Sequence, residues 1–505
     1  MSEAGMPVVI ERRKAMNGAM FVAAIFLPII FALPVSLVKW KKERYWMVYT
    51  ELVVLITAVL VFYSIGHSDG QMYRLFRFAN NLEVGFRIDG LASVFAALVS
   101  FLWPLATLYA FEYMKELDNR ENFFMFYIMT FGVTLGIAFS GNILTMYCFY
   151  EMLTIVTLPL IMHTLTREAI AASRTYLLYS LGGAAFAFIG MVFILYYGVT
   201  GDFTPGGVFL TPDIQSRQGM LLIVYVLTFL GFSVKTAMWP FGGWLPKAGV
   251  APTPVTALLH AVAVVKAGAF ALMRVTYYSF GADFLRGTWA QTTVMVFVII
   301  TIVYGCSRAL KETHLKRRLA YSTMSNLSYI LFGVVLMSPL GLVGALCHMI
   351  FHAFMKICSF FCVGAVMHQT HKNYVHEING MGKKMPVVFT IFTISGLALM
   401  GVPGLPGFIS KWNLAKAALD STHPLALVGV FALLVSALLT AIYMMSISFR
   451  AFIPGRDFDY RTISDVKDPG WMMIVPLVIF VIVMVIFGLH SGPLVEVFKE
   501  IASAL

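Results

Sequence analysis

Eight residues of this sequence place an ionisable side chain within a strongly apolar stretch. They are Glu151 in YCFYEMLTIV, Lys235 in SVKTAMW, His260 and Lys266 in ALLHAVAVVKAGAF, His348, His352 and Lys356 in CHMIFHAFMK, and Lys411 in PGFISKW. Only one of the eight is acidic. At the centre of a bilayer a charge costs at least about 2.5 to 3.5 kcal/mol, so such groups face a polar interior and mark an ion path. Steps of four residues keep His348, His352 and Lys356 in a stripe that drifts about 40° per step and covers roughly 12 Å along a helix. Histidine titrates near neutrality and desolvation eases the deprotonation of lysine, so such a stripe, with water between its members, can pass protons. Glu151 is the natural counter-charge for a lysine on a neighbouring helix. Closing that pair would hold the lysine charged, and opening it would release the proton.

Plainer readings exist for individual residues. A lone histidine in a membrane helix commonly hydrogen-bonds its neighbour, whereas three basic residues in register favour a relay. Lys416, Arg174, Arg274 and Glu51 lie nearer the ends of their apolar runs, where snorkelling or local pairing suffices. His368, His371 and His376 fall in a loop with no carboxylate or cysteine set to complete a metal site, and are read as solvated. A b-type haem needs two facing histidines, and His260 with His348 or His352 qualifies formally. The adjacent lysines oppose an iron centre's charge, which disfavours haem. Cys148, Cys306, Cys347, Cys358 and Cys362 lie in apolar runs without CxxC spacing and read as small buried thiols.

The elements that must position these groups follow from composition. Of 505 residues, 59% are hydrophobic and 12% charged, against roughly 25% charged in a soluble domain. That excludes a soluble globular protein, as does a mean hydropathy of +0.83. The formal net charge of +11 is scattered through short segments between apolar runs, so it reads as membrane topology, with no nucleic-acid partner. Runs long enough to span a bilayer as helices occur at 17 to 38, 45 to 65, 88 to 111, 122 to 140, 142 to 163, 173 to 198, 219 to 240, 253 to 279, 290 to 310, 317 to 337, 339 to 367, 386 to 419, 424 to 452 and 471 to 490. The expected fold is therefore an all-α polytopic membrane protein of about fourteen transmembrane helices. The first run follows Arg12, Arg13 and Lys14 like a signal peptide, but thirteen more spans follow it, and it is kept as a helix. The tail VEVFKEIASAL is amphipathic and reads as an interfacial helix.

With fourteen spans, twenty of the Lys and Arg residues lie in the loops after odd-numbered runs or at the run ends that flank them (Arg174, Arg317, Arg318 and Arg450), and nine on the side of the termini. The positive-inside rule then puts both termini on the periplasmic or extracellular side, and KWKKER (39 to 44) and KETHLKRR (311 to 318) in the cytoplasm. The longest loops, near 66 to 87, 199 to 218 and 453 to 470, hold about twenty residues and no soluble catalytic domain. Two runs are interrupted, the seventh by Pro240 with Gly242 and Gly243, the twelfth by Pro403 and Pro406 with Gly404 and Gly407. Each break lies beside a lysine, Lys235 or Lys411. Paired broken helices point to inverted repeats with the ion path at their interface. The chain accordingly divides into 1–121 (runs 1 to 3), 122–280 (a first five-helix unit), 281–452 (a second, inverted unit) and 453–505 (run 14 and the tail).

KTAMWPFGGWLPKAGVAPTPVTALLHAVAVVKAG (235 to 268) resembles the signature of the antiporter-like membrane subunits shared by respiratory complex I, membrane-bound [NiFe] hydrogenases and formate hydrogenlyases, and Mrp-type Na+/H+ antiporters. RIDGLASVF (87 to 95), YEMLT (150 to 154), the HxxxHAxxK of run 11 and the PGFxxK of run 12 are similar as well. The resemblance implies fourteen helices with two inverted five-helix repeats. It also implies a proton path in which Glu151 and Lys235 form the coupling pair, His260 and Lys266 relay, His348, His352 and Lys356 bridge the halves, and Lys411 is the terminal site. Two positions depart from the pattern: the usual histidine after PF is Gly242, and the acidic residue often found after WLP is Lys247. The proton uptake route at that end is thus left open. No lateral-helix extension follows run 14, which favours the shorter subunits of the family.

The expected function is ion translocation, of protons with sodium coupling left open, by a membrane subunit of a multisubunit energy-converting oxidoreductase in a prokaryotic inner membrane. No cofactor is expected in this chain. Redox cofactors would lie in peripheral redox subunits, and the other partners would be further integral membrane subunits, homologous ones included, and lipid. A second reading is a Mrp-type antiporter subunit without a redox partner, and a third, weaker one is a structural anchor.

Overall fold

The computed structural model describes residues 6–79, 82–455 and 458–505, with side chains from residue 18 onward. Residues 1–5 and the side chains of Arg12, Arg13 and Lys14, on which part of the sidedness argument rests, lie outside the described residues. The chain is a bundle of helices: α1 (Met6–Leu37), α2 (Glu43–Gly66), α3 (Gly90–Tyr113), α4 (Arg120–Ala138), α5 (Ile143–Ile161), α6 (Arg167–Tyr197), α7 (Ile214–Ser233), α8 (Thr253–Phe280), α9 (Trp289–Lys311), α10 (Leu315–Val335), α11 (Pro339–Thr370), α12 (Pro386–Met400), α13 (Pro406–Leu419), α14 (Pro424–Phe452), α15 (Trp471–Leu489) and α16 (Gly492–Ser503). Twelve of them are long and apolar enough to cross a membrane among the described residues. The other two expected runs are α10, which opens on Leu315-Lys316-Arg317-Arg318, and the broken pair α12 and α13.

Burial sorts these helices into a core and a rim. The apolar windows of α8 and α11 are 100% buried, whereas those of α14 and α15 are 33% and 28% buried. A helix apolar all round and still largely exposed faces lipid. α8 and α11 pack against each other at the centre, and they carry five of the eight expected site residues. α8 is not a uniform helix: Leu258–Val262 and Arg274–Phe280 are π turns on either side of the α-helical Val264–Met273.

The breaks differ in detail from the sequence reading. The seventh run was expected to stay helical through Lys235, but α7 ends at Ser233, because Ala237 adopts a left-handed backbone (φ 55°) and closes a turn on Val234. Short helical turns at Phe241–Gly243 and Trp244–Lys247 then lead to α8. Gly242 lies so close to this turn that a Cβ there would sit 2.2 Å from the Ala237 carbonyl oxygen, which explains why no larger residue occupies the position. In the twelfth run the stop is Gly401 (φ 94°), whose N–H and that of Val402 bond back to Leu397, a Schellman-type cap. Pro406 does not interrupt a helix. It starts α13 at a position where a missing N–H costs nothing.

Other elements were less visible. Part of the expected 66–87 loop is an antiparallel hairpin, β1 (Tyr73–Ala79) with β2 (Leu82–Phe86), anchored on the α4–α5 turn through Gly141 N–H to Gly85 O at 2.9 Å. The expected loop 311–318 is only three residues long, because Leu315 to Arg318 already form the first turn of α10, with Lys316 and Arg318 buried. His368, expected in a loop, lies in the last turn of α11 with Nε2 3.9 Å from the Glu116 carboxylate. The amphipathic tail is helical, and Phe498 and Ala502 bury its apolar face.

Candidate functional site

The site is a line of polar groups through the middle of the bundle, buried except for the half-buried Lys411 at one end. At one end Lys411, on the second turn of α13, reaches back across the break to the last carbonyls of α12, donating to Leu399 O at 2.7 Å and Met400 O at 3.0 Å. These carbonyls have no partner within their own helix, and a cation there also meets the negative end of the helix dipole. The same ammonium stands 5.5 Å from the centre of the Tyr329 ring. Tyr329 in turn packs against His348, ring centres 5.0 Å apart.

From His348 the line runs along α11. Nδ1 of His348 bonds the Ser410 hydroxyl at 2.9 Å, linking it to the residue next to Lys411. One turn on, His352 stacks on His348 with ring centres 5.6 Å apart and planes 24° from parallel. Nδ1 of His352 lies 2.8 Å from Nζ of Lys266 on α8, so the lysine and histidine share one proton position. The Nε2 atoms of both histidines are buried without a protein partner. Lys356, a further turn along, donates to Ser322 Oγ at 2.6 Å, and Ser322 also accepts from the Tyr443 hydroxyl at 2.7 Å.

His260 sits in the first π turn of α8, fully buried beside Phe360, with neither ring nitrogen bonded to protein. π turns recur at functional sites because the widened turn re-aims a side chain.

Apart from this series, Lys235 follows the end of α7 and is buried. Its ammonium donates to the carbonyl of Tyr150 and lies 3.5 Å above the Tyr150 ring centre. Glu151, the next residue along α5, is half-buried, with Oε1 inside and unpaired. No ion pair within 4 Å joins Glu151 to Lys235 in the described residues, so the two charges are neighbours held apart by Tyr150.

The structure thus brings Lys411, His348, His352 and Lys266 into one contact series. Lys356 flanks it, His260 stands apart from it, and Glu151 and Lys235 form a separate group. Sequence reasoning missed Tyr150, Ser322, Tyr329, Ser410 and Tyr443. The only signal for any of them was adjacency: Tyr150 beside Glu151 and Ser410 beside Lys411. Of the lesser candidates, Arg174 and Lys416 are exposed, and Glu51 is partly buried with Oε2 unpaired. Arg274 makes a bidentate pair with Asp89, the N-cap of α3, at 2.5 and 2.8 Å. Among the described residues no group of three or more His, Cys, Asp and Glu side chains clusters as a metal site would.

Known proteins resemble this chain in sequence and in fold. Residues 140–440 match the family model described as NADH:quinone oxidoreductase/Mrp antiporter, TM, and residues 75–124 match that of the NADH-ubiquinone oxidoreductase (complex I) chain 5 N-terminus. An NADH-quinone oxidoreductase subunit of Desulforudis audaxviator is 31% identical over 425 residues, 81% of this chain and 82% of that protein. An Na(+)/H(+) antiporter subunit of Alkalihalophilus pseudofirmus is 28% identical over 93% of this chain, which spans 60% of that longer protein's length. In fold, the chain superposes on a chain of the archaeal membrane-bound sulfane sulfur reductase with a TM-score of 0.83 (21% identity, 96% of this chain and 97% of that one). A chain of the Mrp complex from Dietzia gives 0.82 (19% identity, 97% of each chain). With a buried line of lysines and histidines in a polytopic helical membrane fold, and a family match across more than half its length, this chain belongs to the NADH:quinone oxidoreductase/Mrp antiporter family of membrane proteins.

Proposed function

We propose that this chain is the proton-translocating membrane subunit of a multisubunit energy-converting complex. What carries the reading is the contact series from the half-buried Lys411 on α13 through the fully buried His348 and His352 of α11 to Lys266 of α8, with no carboxylate ion-paired to any of them among the described residues. A buried lysine next to a neutral imidazole is an acid beside a base, so a proton moves between them at little cost. Lys356 and His260 extend this set. Glu151 and Lys235 act as the switch: the lysine is held by a carbonyl and a ring face, and the nearby carboxylate, free of partners, can approach or withdraw.

The chain would work as two five-helix units, 122–280 and 281–452, inverted relative to each other, with runs 1 to 3 and the last helices packed around them. It would sit in a prokaryotic inner membrane with both termini on the periplasmic side, among other integral membrane subunits, homologous ones included. Redox chemistry would take place in peripheral subunits that hold the cofactors. A second reading, membership of a cation/proton antiporter complex without a redox partner, draws on the similarity to the Alkalihalophilus antiporter protein over 93% of this chain.

The test is Lys235→Ala in the assembled complex, with proton movement followed by a pH-sensitive dye in membrane vesicles. Loss of proton movement with the complex intact is expected. Full pumping at unchanged coupling would overturn the relay reading in which Lys235 is the switch.

A further inference from the structure

Gly242 and Lys247 stand where the family pattern has a histidine and an acidic residue. Gly242 is buried with no side chain, and Lys247 points outward. A third residue occupies the gap. Lys316, in the first turn of α10, is 5% exposed, and its ammonium donates to the carbonyl of Ala251 at 2.8 Å. Ala251 lies in the connector between the broken seventh run and α8, and its carbonyl also accepts from the hydroxyl of Thr256 at 3.0 Å. Thr256 is one turn before His260 on α8.

The surroundings of Lys316 are uniformly unfavourable to a fixed positive charge. No carboxylate lies within 4 Å of it among the described residues. On its own helix stand Arg317, exposed, and Arg318, buried and bonded to Glu312 O, Tyr443 O and Ser446 Oγ. Before it comes His314, with Nδ1 buried and unpaired. The elements packed against α10 carry Arg308 and Lys311 on α9, Lys247 on the turn before α8, His260 and Lys266 on α8, His348, His352 and Lys356 on α11, Lys411 and Lys416 on α13 and Arg450 on α14, all of them basic. The nearest acid, Glu312, spends its carboxylate on the N–H groups of Thr313 and His314. The first turn of a helix adds the positive end of its dipole. A cation held in this way by one carbonyl gives up its proton readily.

His260 is the receiver in reach. Both its nitrogens are buried and unbonded, and it lies one turn beyond Thr256, whose hydroxyl shares the Ala251 carbonyl with the Lys316 ammonium. Lys356 is tied to Ser322, six residues beyond Lys316 on α10, about 9 Å of helical rise. The Ala251 carbonyl thus joins the turn of α8 that leads to His260 to a lysine two residues past the connector 312–314.

We propose that Lys316 is the proton port of the buried line, loading from water at the N-terminal end of α10 and delivering to His260. The N–H bond at Nζ breaks, a bridging water carries the proton, and an N–H bond forms on the imidazole. The neutral amine is recharged by a proton from bulk water, and no oxidant or reductant takes part. This rests on the relay reading of the site.

The test uses the complete complex in membrane vesicles, with Lys316→Gln, Lys316→Arg and Lys316→His. Gln keeps a donor for Ala251 O and does not titrate, so proton flux should fall about tenfold or more. Arg keeps both donor and charge but does not release its proton, and should fail equally. His should restore flux with its pH optimum moved toward acid. Wild-type flux in Lys316→Gln, or rescue by Arg, would reduce Lys316 to a structural tie and overturn the proposal. If Gln and Arg lower the amount of assembled complex, the pH profile of the assembled fraction decides: a port variant shifts it, and a lost tie only scales it down. Lys235→Ala is measured alongside. If it blocks flux while Lys316→Gln does not, only the port is wrong; if it has no effect, the relay reading itself falls.

Discussion

Lys266 on α8 and His352 on α11 face each other at 2.8 Å across the contact between two helices whose apolar windows are 100% buried. The pair joins elements 86 residues apart in sequence and is the one direct lysine–imidazole contact in the line. Lys266→Gln and His352→Gln should each slow proton movement by about 100-fold, the low end for loss of a positioned acid–base group. Because the two act as a unit, the double variant should be no slower than the worse single one. Additive losses in vesicle assays would separate them into independent sites.

Tyr150 supports Lys235 through its ring face at 3.5 Å, while its hydroxyl donates to Phe232 O at 3.0 Å. Tyr150→Phe keeps the ring and should cost about 1 kcal/mol of stability for the lost hydrogen bond, with proton movement near normal. Tyr150→Leu removes a desolvated cation–π contact worth about 2 kcal/mol. It should also impair proton movement, since the ammonium loses one of its two holds. Equal activity of the Phe and Leu variants would deny the ring any part in positioning Lys235.

Gly407, at the start of α13, has no room for a side chain, since a Cβ would lie 1.8 Å from the Ala398 carbonyl oxygen. Gly407→Ala must push α13 away from α12 and with it move Lys411 off Leu399 and Met400. A loss of at least about 2 kcal/mol is expected from such overpacking. It would be read as a lower melting temperature of the detergent-solubilised complex, together with weakened proton movement.

His314 caps the start of α10 in the loop outside the membrane. Burial first, and then the charges of Lys316 and Arg317, push its imidazole down to about 4 from an ordinary 6.5. A histidine that is neutral in the fold but protonated when unfolded contributes stability that is complete above pH 6.5 and is lost as the pH falls toward 4. Hydrogen exchange of the 312–318 segment should therefore accelerate between those values. His314→Asn should abolish that dependence, and an unchanged profile would place the titration elsewhere.

Much of this was legible from the sequence because membrane helices must be long and apolar, and the runs from 17 to 490 announce themselves by length alone. The breaks were legible from Pro and Gly, but their edges were not. α7 ends at Ser233, seven residues before Pro240, ahead of the left-handed turn at Ala237, and nothing in alanine's type signals that. The titratable groups were found because charge in an apolar run is rare. Their partners were not, because three of them are backbone carbonyls, those of Tyr150, Leu399 and Met400, which every residue has. The basic neighbours of Lys316 point to a loop, although α10 has already begun there and folds the side chain inward.

The two π turns of α8 bear on how its line of residues is aimed. A π turn holds one residue more than the regular ladder requires, and each residue of an α-helix advances the side chains by about 100°. The azimuth of Lys266 about the α8 axis is therefore set by where the surplus residues at Leu258–Val262 and Arg274–Phe280 reside. Passing one surplus residue along the helix by a single position swings that residue from one neighbour to another and leaves both ends of α8 in place. Register, and not only protonation, is thus a variable that this helix can store.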